Sequence, residues 1–567
     1  MTTRHDSLAV LFLLGLWALP AAAQTIEDGA SPPDPIDYAM FFLADVRDAA
    51  ECAVSLRDGR FDYGPTVSNA AMTCPDAFAW SLFARIVTEG FWENWSTDRQ
   101  VWPSAPWPRC TPGAEVGTCC AAVAIANEAA PEHCPVFPGE TDGAPRHIVG
   151  EPSKAHQMEL AAVAPDASWE SVPAVLRNAV IGGTMVELVY RNQPMVDYIF
   201  DNELYYTEGL GAVFDRHARA ALAYAPYQTE LLDPAVNHDA PPPITQIVFP
   251  IRSVMVKVNW IAAKDAPKVG IDPGDSEHPY IVMDLMPQGA DKDAAPEPYL
   301  MLSFHISSKD LPNWFWATFE HVANQGRCDW LGCNDSFGYR TTQTLAIDGA
   351  EAGGLPPPAA NYIAPAKVAN EDQAGVEAFA VAGTYHGVDR IGDELAAILD
   401  ALEIGTGAAA ATPGLPTRQD LAWRSYRLKG SQVDWVTSEG RPTRLGNSVT
   451  EAGFVNTASC LTCHAQAAVD ERGLLIHAIF EDTLSDVGLA QSANGVVDQN
   501  FFHSNAFWGL GGQFESLAIH AIQTDFVWGF RFTCPAGPLP YGPSWCAHVT
   551  GPGYSTPVPA PDTDTSN

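Results

Sequence analysis

The spacing of apolar residues in the first part of the chain is mainly helical. Between residues 37 and 224, apolar side chains recur at intervals of three and four positions, the period of an amphipathic helix. The clearest runs are residues 38–43, 78–84 and 185–223. A segment rich in Pro, Gly and Cys, residues 103–145, interrupts them and indicates a disulfide-stapled loop. The pattern predicts a helical N-terminal domain over residues 37–240.

The spacing of apolar residues changes after three consecutive prolines at residues 241–243. Apolar and polar residues then alternate, or form short apolar runs between Pro, Gly and Asp turns, which is typical of β-strands. The predicted strands lie within residues 244–260, 280–285 and 299–306. A short aromatic run, residues 313–322, is predicted as a helix. We therefore expect a β-rich middle domain over residues 241–345.

The last part of the chain predicts a connector, a third domain and a tail. Residues 346–414 are rich in Ala, Gly and Pro, and we expect one helix within them, near residues 391–402. Residues 415–550 contain amphipathic stretches at 473–490 and 513–530, which predict a mainly helical domain. Residues 551–567 have the composition of a disordered tail. The predicted fold class is a multidomain α+β protein.

The N-terminus has the pattern of a secretory signal peptide. Arg4 and His5 precede an apolar run over residues 8–19, and three alanines end at Ala23. Such a segment is cleaved after the small residues and is too short to span a bilayer. We expect a signal peptide over residues 1–23, a linker over 24–36, and a periplasmic or secreted protein without stable membrane insertion.

The charge balance narrows the choice of partners. The chain has 68 acidic and 31 basic side chains, giving a formal net charge of −37. A surface of this sign repels nucleic acid, which we exclude as a partner. The charge says nothing about oligomeric state.

One short segment, Cys460-Leu461-Thr462-Cys463-His464, has residue types and spacing that indicate a specific chemistry. Two cysteines three positions apart can each form a thioether with a vinyl group of haem, and the following imidazole can bind the iron. A thioredoxin-like redox pair would need a preceding buried strand, which residues 452–459 do not resemble. A structural zinc site would need two further ligands at a matching spacing.

This segment resembles the attachment site of c-type cytochromes. The resemblance implies one covalent haem c, with Cys460 and Cys463 as the thioether residues and His464 as an axial iron ligand. It also implies electron transfer with a redox partner protein or a small-molecule donor or acceptor. Residues 314–324 and 423–454 look similar to parts of large exported single-haem proteins of unassigned role, a likeness that transfers no activity.

The other ten of the 12 cysteines are an even number, as expected for disulfides in an oxidising compartment. Cys328 with Cys333, and Cys534 with Cys546, are close enough in sequence to pair locally. The six cysteines between residues 52 and 134 would form a separate set, in which the adjacent Cys119 and Cys120 have different partners.

The sixth iron ligand remains open at the level of sequence. All ten methionines lie at or before Met301, so no Met follows the motif to complete a Met/His pair. The preferred candidates are His321 and His503, the latter because aromatic residues surround it. Other candidates are His305, His477, His520, His548, Met255, Met283 and Met301. The iron could also have an open sixth position.

Basic residues cluster shortly before the motif. We expect at least one of four of them to contact a haem propionate, because Arg and Lys stabilise partly buried carboxylates. The four are Arg427, Lys429, Arg441 and Arg444. The alternative is that they pair locally with Asp420, Asp434 and Glu439 as surface charges.

Three functions fit these observations. The first is a periplasmic cytochrome that transfers electrons. The second is a peroxidase- or oxygenase-like haem enzyme with an open or displaceable sixth position, in which Glu320 and His321 could assist proton transfer. The third is a haem-based sensor. The motifs of phosphate loops, zinc peptidases, serine hydrolases and helix-loop-helix calcium sites are absent from the sequence.

Overall fold

A computed structural model gives the fold of this chain. It describes residues 48, 51–128, 130–139, 146–147, 185–223, 243–286, 295–324, 327–328, 331, 333–338, 362–363, 391–408, 417–437, 440, 442–451, 455, 458–476, 495–497, 502–504, 518–519, 521–539 and 546–549. The predicted signal peptide, linker and C-terminal tail lie outside these residues, as does the first predicted helical run, 38–43.

The described strands include both long sheet strands and two- or three-residue pairs. In chain order they are β1 Ser55–Arg57, β2 Arg60–Asp62, β3 Ser96–Thr97, β4 Ala124–Ile125, β5 Val136–Phe137, β6 Arg146–His147, β7 Met185–Arg191, β8 Val254–Ala262, β9 Val282–Met286, β10 Glu297–Ser308, β11 Phe315–His321, β12 Cys333–Asn334, β13 Tyr362–Ile363, β14 Tyr426–Gln432, β15 Ala468–Val469, β16 His503–Ser504, β17 Ala518–Ile519 and β18 Ile522–Gln523.

The helices of the described residues are mostly short. In chain order they are α1 Ala70–Thr73, α2 Pro75–Thr88, α3 Phe91–Asn94, α4 Asp98–Val101, α5 Gln193–Asp201, α6 Thr207–Ala223, α7 Asp393–Ala401, α8 Thr417–Ala422 and α9 Cys460–Ala465. Three short 3₁₀-helices are Ala266–Val269, Trp423–Ser425 and Trp528–Phe532. The helix predicted near residues 391–402 is α7.

An eight-stranded sheet organises the structure. Its main path runs β14-β11-β10-β8-β7-β3, with β9 beside the first half of β10 and β6 beside β9. All pairs along the main path are antiparallel, and β6 runs parallel to β9. β3 and β7 come from the predicted N-terminal segment and β14 from the predicted C-terminal segment. Strands distant in sequence therefore share one sheet.

The fold class predicted from sequence is wrong. Helices hold 27% of the described chain and strands 25%, and no helical C-terminal domain is evident. In the predicted helical C-terminal segment, the motif helix α9 has six residues and β14 is part of the central sheet. The N-terminal segment likewise contributes β7 to the sheet. Packing between distant segments overrides the helical spacing there.

Two local predictions fail for the same reason. Residues 313–322, predicted as a helix, contain the strand β11, and residues 185–191, predicted as the start of a helical run, form β7. Both segments are rich in aromatic or β-branched residues, which suit a buried sheet. An apolar run of this length cannot be assigned by periodicity alone. The strands predicted at 280–285 and 299–306 are found as β9 and β10.

The two faces of the sheet differ in polarity. On one face, Phe304 of β10 and Phe319 of β11 stack with ring centroids 5.0 Å apart. They pack against α2, whose Trp80 lies 5.1 Å from Phe319 and whose Phe83 lies 5.3 Å from it. The opposite face, called the polar face below, presents alternate residues such as Trp316. It is covered by the segment that precedes the motif in sequence, and it positions the candidate site.

Candidate haem attachment site

The motif forms the short helix α9, which is fixed at the end of β14. Ser459 caps the helix, since its Oγ accepts a hydrogen bond from the backbone N–H of Thr462 at 3.3 Å. Gln432, the last residue of β14, donates from Nε2 to Ser459 Oγ at 2.9 Å. Its Oε1 accepts from the N–H of Leu461 at 3.0 Å. One sheet residue thus binds both the cap and the first turn of the helix.

Five disulfides account for ten of the twelve cysteines, and Cys460 and Cys463 are the two that are not disulfide-bonded. The pairs are Cys52–Cys74, Cys110–Cys119, Cys120–Cys134, Cys328–Cys333 and Cys534–Cys546. The two predicted local pairs and the separate partners of Cys119 and Cys120 are confirmed. The motif is therefore the one place where the chain keeps two thiols together.

The two thiols occupy one side of a single helical turn, because residues three apart on an α-helix lie on the same face. Cys460 is buried, and its Sγ lies 3.4 Å from the carbonyl oxygen of Leu445. Cys463 is half-buried. This spacing matches two thioether attachments to one flat group.

The imidazole of His464 is oriented by a backbone carbonyl. Its Nδ1 lies 2.7 Å from the oxygen of Phe526. A carbonyl oxygen only accepts, so this contact places the ring proton on Nδ1 and assigns the ligand lone pair to Nε2. Metal-binding histidines commonly have this arrangement, in which the second nitrogen donates to a carbonyl or carboxylate.

A turn over residues 523–528 holds the end of α9 and the chain just after it through three further hydrogen bonds. Gln523 Nε2 donates to the oxygen of Ala465 at 2.7 Å, and Trp528 Nε1 donates to that of Cys463 at 3.2 Å. The N–H of Thr524 donates to the oxygen of Ala467 at 2.8 Å. Carbonyls at a helix C-terminus need such partners, so this turn fixes the helix as well as the imidazole.

The polar face of the sheet meets the motif at Trp316. The indole of Trp316 lies against His464, with ring centroids 4.3 Å apart. Two positions along β11, Thr318 Oγ1 accepts from Asn447 Nδ2 at 2.9 Å, and two further, Glu320 Oε1 accepts from the N–H of Ser448 at 2.8 Å. The segment 443–451, called the covering segment below, thus covers this face and precedes the motif in sequence.

His305 lies in the same buried network. It is opposite Thr318 in the β10–β11 pair, and its Nε2 is 3.3 Å from both Asn447 Nδ2 and Glu451 Oε2. Glu451 Oε2 also accepts from the N–H of Asn447 at 2.8 Å. These contacts engage His305 with the covering segment.

The four predicted propionate contacts have different environments. Lys429 is buried and forms an ion pair with Glu320, Nζ to Oε1 at 3.4 Å; burial lowers the pKa of Lys429, and Glu320 opposes this effect. Arg427 donates from Nη1 to the backbone oxygens of Arg424 and Tyr426. Arg444 is half-buried and directly precedes Leu445. Arg441 lies outside the described residues.

The structure does not bring His321 to the motif. Its ring stacks on Tyr280 with centroids 3.7 Å apart, on the sheet face opposite Trp316. Nε2 lies 3.3 Å from the oxygen of Pro279, and Nδ1 accepts from the N–H of Ala323 at 3.2 Å. Burial lowers the pKa of His321 to about 3, so the ring is neutral at physiological pH. Both nitrogens already have backbone contacts.

The other candidate ligands are only partly described. His503 lies in β16, where its backbone pairs with Ile519 of β17, and its side chain lies outside the described part of the chain. His477 and His520 also lie outside it. His548 follows Cys546 in a described turn, and its carbonyl oxygen accepts from the N–H of Leu539 at 3.1 Å.

Sequence reasoning missed the residues that position His464. The Phe526 carbonyl is a backbone atom and leaves no signal in residue type. Trp316 lies in a segment whose sequence predicts a helix, and a helix would not place Trp316 on one face with Thr318 and Glu320. The available signal was the alternation of apolar and polar residues over 317–320, Ala-Thr-Phe-Glu.

The donors present fit a covalent haem. Two thiols lie on one face of a capped helix, and the next residue is an imidazole whose Nδ1 is bonded. One other group of potential metal ligands in the described residues, Cys120 with His133 and Cys134, is unsuitable because its two sulfurs form a disulfide. Among the described helices, none combines the length and hydrophobicity that a bilayer crossing requires.

No protein-family model, curated protein or solved structure matches this chain. The candidate site is therefore identified from its own residues and geometry.

Proposed function

We propose that this protein is a c-type cytochrome that carries one haem on Cys460 and Cys463, with His464 as an axial iron ligand, and that it exchanges electrons with a redox partner. The observation that carries the proposal is the division of the cysteines: ten form disulfides, and the two of the motif do not. When bound, the haem supplies a one-electron redox couple.

The contacts of His464 support this role. The Nδ1–H bond to Phe526 fixes the ring and increases the electron density at Nε2, as outer hydrogen bonds do for metal-binding histidines. A more basic histidine ligand would stabilise ferric iron and lower the reduction potential of a bound haem. Arg444 lies within the segment 443–451 and is the described candidate for a propionate contact, whereas Lys429 is buried and paired with Glu320.

The proposed compartment is the periplasm or the extracellular space. Five disulfides are compatible with an oxidising environment. The predicted signal peptide over residues 1–23 would direct export, and attachment of haem to a CxxCH motif takes place outside the bacterial cytoplasm. The proposed partner is a redox protein or a small-molecule electron donor or acceptor.

The alternative is a haem enzyme or sensor with an open or displaceable sixth position. The observation that favours it is the position of His321, which faces away from the motif and binds backbone groups. No Met follows the motif either. Addition of carbon monoxide to the reduced protein separates the two functions, since a stable sixth protein ligand resists displacement.

The test is to express the full chain in a host that ligates haem and to measure its mass and absorption spectrum. We expect the mass of one haem in the parent protein and in Cys534→Ala/Cys546→Ala, which removes a disulfide as a matched control. The variant Cys460→Ala/Cys463→Ala should lack covalent haem. A colourless parent protein of unmodified mass would refute the proposal.

A further inference from the structure

Three residues with strained backbone conformations meet behind His464. Trp314 has φ 60°, Asp525 has φ 48° and Phe526 has φ 67°. Positive φ is uncommon outside glycine and is a genuine outlier for bulky aromatic residues. Such conformations cost about 1–3 kcal/mol each and persist only where the surroundings enforce them. The contacts that hold Trp314, Asp525 and Phe526 in these conformations therefore indicate a functional constraint.

A buried ion pair holds this turn. Asp525 Oδ1 accepts from Lys309 Nζ at 2.5 Å, and the two side chains are 6% and 7% exposed. Asp525 Oδ2 accepts from the N–H of Phe249 at 2.7 Å. Lys309 also donates to the oxygen of Pro312 at 2.7 Å and lies 5.7 Å from the ring centre of Trp314. Both carboxylate oxygens of Asp525 are thus hydrogen-bonded to residues from the middle of the chain, Lys309 and Phe249.

The ion pair acts on the imidazole through a single residue. Phe526 follows Asp525 directly, and its carbonyl oxygen accepts the Nδ1–H of His464 at 2.7 Å. The direction of that carbonyl depends on the left-handed backbone of Asp525 and Phe526. If the carboxylate of Asp525 lost Lys309, the backbone could relax and turn the carbonyl away from Nδ1.

We propose that Lys309 and Asp525 are positioning residues for His464, and that they set the reduction potential of the haem through the Phe526 carbonyl. This inference rests on the proposed function. A bound haem would supply the one-electron couple, and the role of the protein would be to hold the proton on His464 Nδ1 in both oxidation states. The pair therefore adjusts the electron density of the ligand and takes no part in the transfer itself.

The expected direction of the change follows from the hydrogen bond. A weaker Nδ1–H contact makes the imidazole less basic, which destabilises ferric iron and raises the potential. Loss of the lysine charge acts in the opposite direction, because it stabilises ferric iron. A rise in the Lys309→Met variant is thus attributable to positioning.

The first experiment compares midpoint potentials of the holoprotein. Lys309→Met should favour reduction about tenfold, which is about 59 mV for one electron. Loss of an outer hydrogen bond to a metal-binding histidine changes metal affinity by at least about this factor. Lys309→Arg, which keeps a cation for Asp525, should retain the parent potential. Asp525→Asn retains one side-chain oxygen, which can accept from either Lys309 or Phe249 but not from both in the parent geometry. This variant should shift the midpoint potential in the same direction by less.

The matched control is Lys268→Met. Lys268 Nζ also lies 2.5 Å from a carboxylate oxygen, that of Asp265, but the lysine is 71% exposed. Its replacement should leave the potential unchanged. A parent-like potential in Lys309→Met, together with a lower unfolding midpoint, would show that the pair is merely structural and would overturn the inference.

A second experiment does not require haem. In the exported full chain with Cys460→Ser and Cys463→Ser, nitrogen-15 NMR should show His464 as the Nδ1–H tautomer, assigned by comparison with His464→Gln. Adding Lys309→Met should abolish this preference, and retention of the tautomer would contradict positioning. If the parent chain takes up no haem, the proposed function and the effect on the potential both fail, while this tautomer measurement still decides whether Lys309 and Asp525 position His464.

Discussion

The indole of Trp316 lies against the imidazole of His464, with ring centroids 4.3 Å apart. Trp316 belongs to β11, near the middle of the chain, whereas His464 belongs to the motif helix. The contact places the motif on the polar face of the central sheet. That face is also where Thr318 and Glu320 bind the covering segment, so the sheet and the motif form one packed unit.

Replacement of Glu320 by Gln should be strongly destabilising. Lys429 would then be a buried cation without its carboxylate, which typically costs about 3–5 kcal/mol of unfolding free energy. Denaturant unfolding at neutral pH measures the change. Lys429→Met in the same chain should recover much of the loss, whereas Asp265→Asn, which breaks the more exposed Lys268 pair, should cost far less. Equal losses of unfolding free energy in Glu320→Gln and Asp265→Asn would contradict this account.

His321→Phe should leave the absorption spectrum of the holoprotein unchanged, because His321 faces away from the motif. The same replacement at His503 tests the other candidate ligand, and a spectral change there would identify it. A changed spectrum in His321→Phe would mean that the ring reaches the iron.

His321 should also contribute to acid destabilisation. Burial lowers its pKa to about 3 in the folded protein, while the unfolded value is about 6.5. The unfolded chain binds the proton first, so this contribution to stability is lost as pH falls from about 6.5 to about 3. Between pH 7 and pH 5, His321→Phe should lose up to about 2 kcal/mol less than the parent. Equal losses would contradict the burial argument.

A cluster of three carboxyl groups predicts the opposite pH dependence. Burial, followed by the neighbouring Asp76, raises the pKa of Asp48 to about 8, and burial also raises those of Asp76 and Asp335. The folded state then holds protons that the unfolded state has released, so stability falls as pH rises from about 4 to about 8. Asp48→Asn should reduce this slope, whereas Asp48→Glu should keep it. Unfolding free energies at a series of pH values measure both.

Arg444→Gln should lower the reduction potential if Arg444 contacts a propionate, because loss of a nearby cation stabilises ferric iron. Arg424→Gln is a suitable control, since Arg424 pairs with Asp400 on the surface at 2.5 Å. We expect the control to keep the parent potential. Identical reduction potentials in the parent, Arg444→Gln and Arg424→Gln would show that Arg444 does not contact a propionate.

Local chemistry in this chain could be predicted, and distant pairing could not. The pairs Cys328–Cys333 and Cys534–Cys546 follow from short spacings, and β10 follows from the mainly apolar run over residues 299–306. β11 was predicted as a helix because its aromatic residues suit either structure when read alone. Its pairing with β10 and β14 decides the matter, and those strands lie on both sides of it in sequence.

The sequence by itself determined the CxxCH motif, because Cys460, Cys463 and His464 lie within five consecutive residues and their spacing alone indicates the proposed chemistry. Only the tertiary structure decided what surrounds the motif: Trp316 on the ring, the Phe526 carbonyl on Nδ1, and Lys309 behind Asp525. Lys309 and Asp525 are 216 positions apart. Such contacts depend on how the sheet and the covering segment pack, and the spacing of residues within one segment contains no record of that packing.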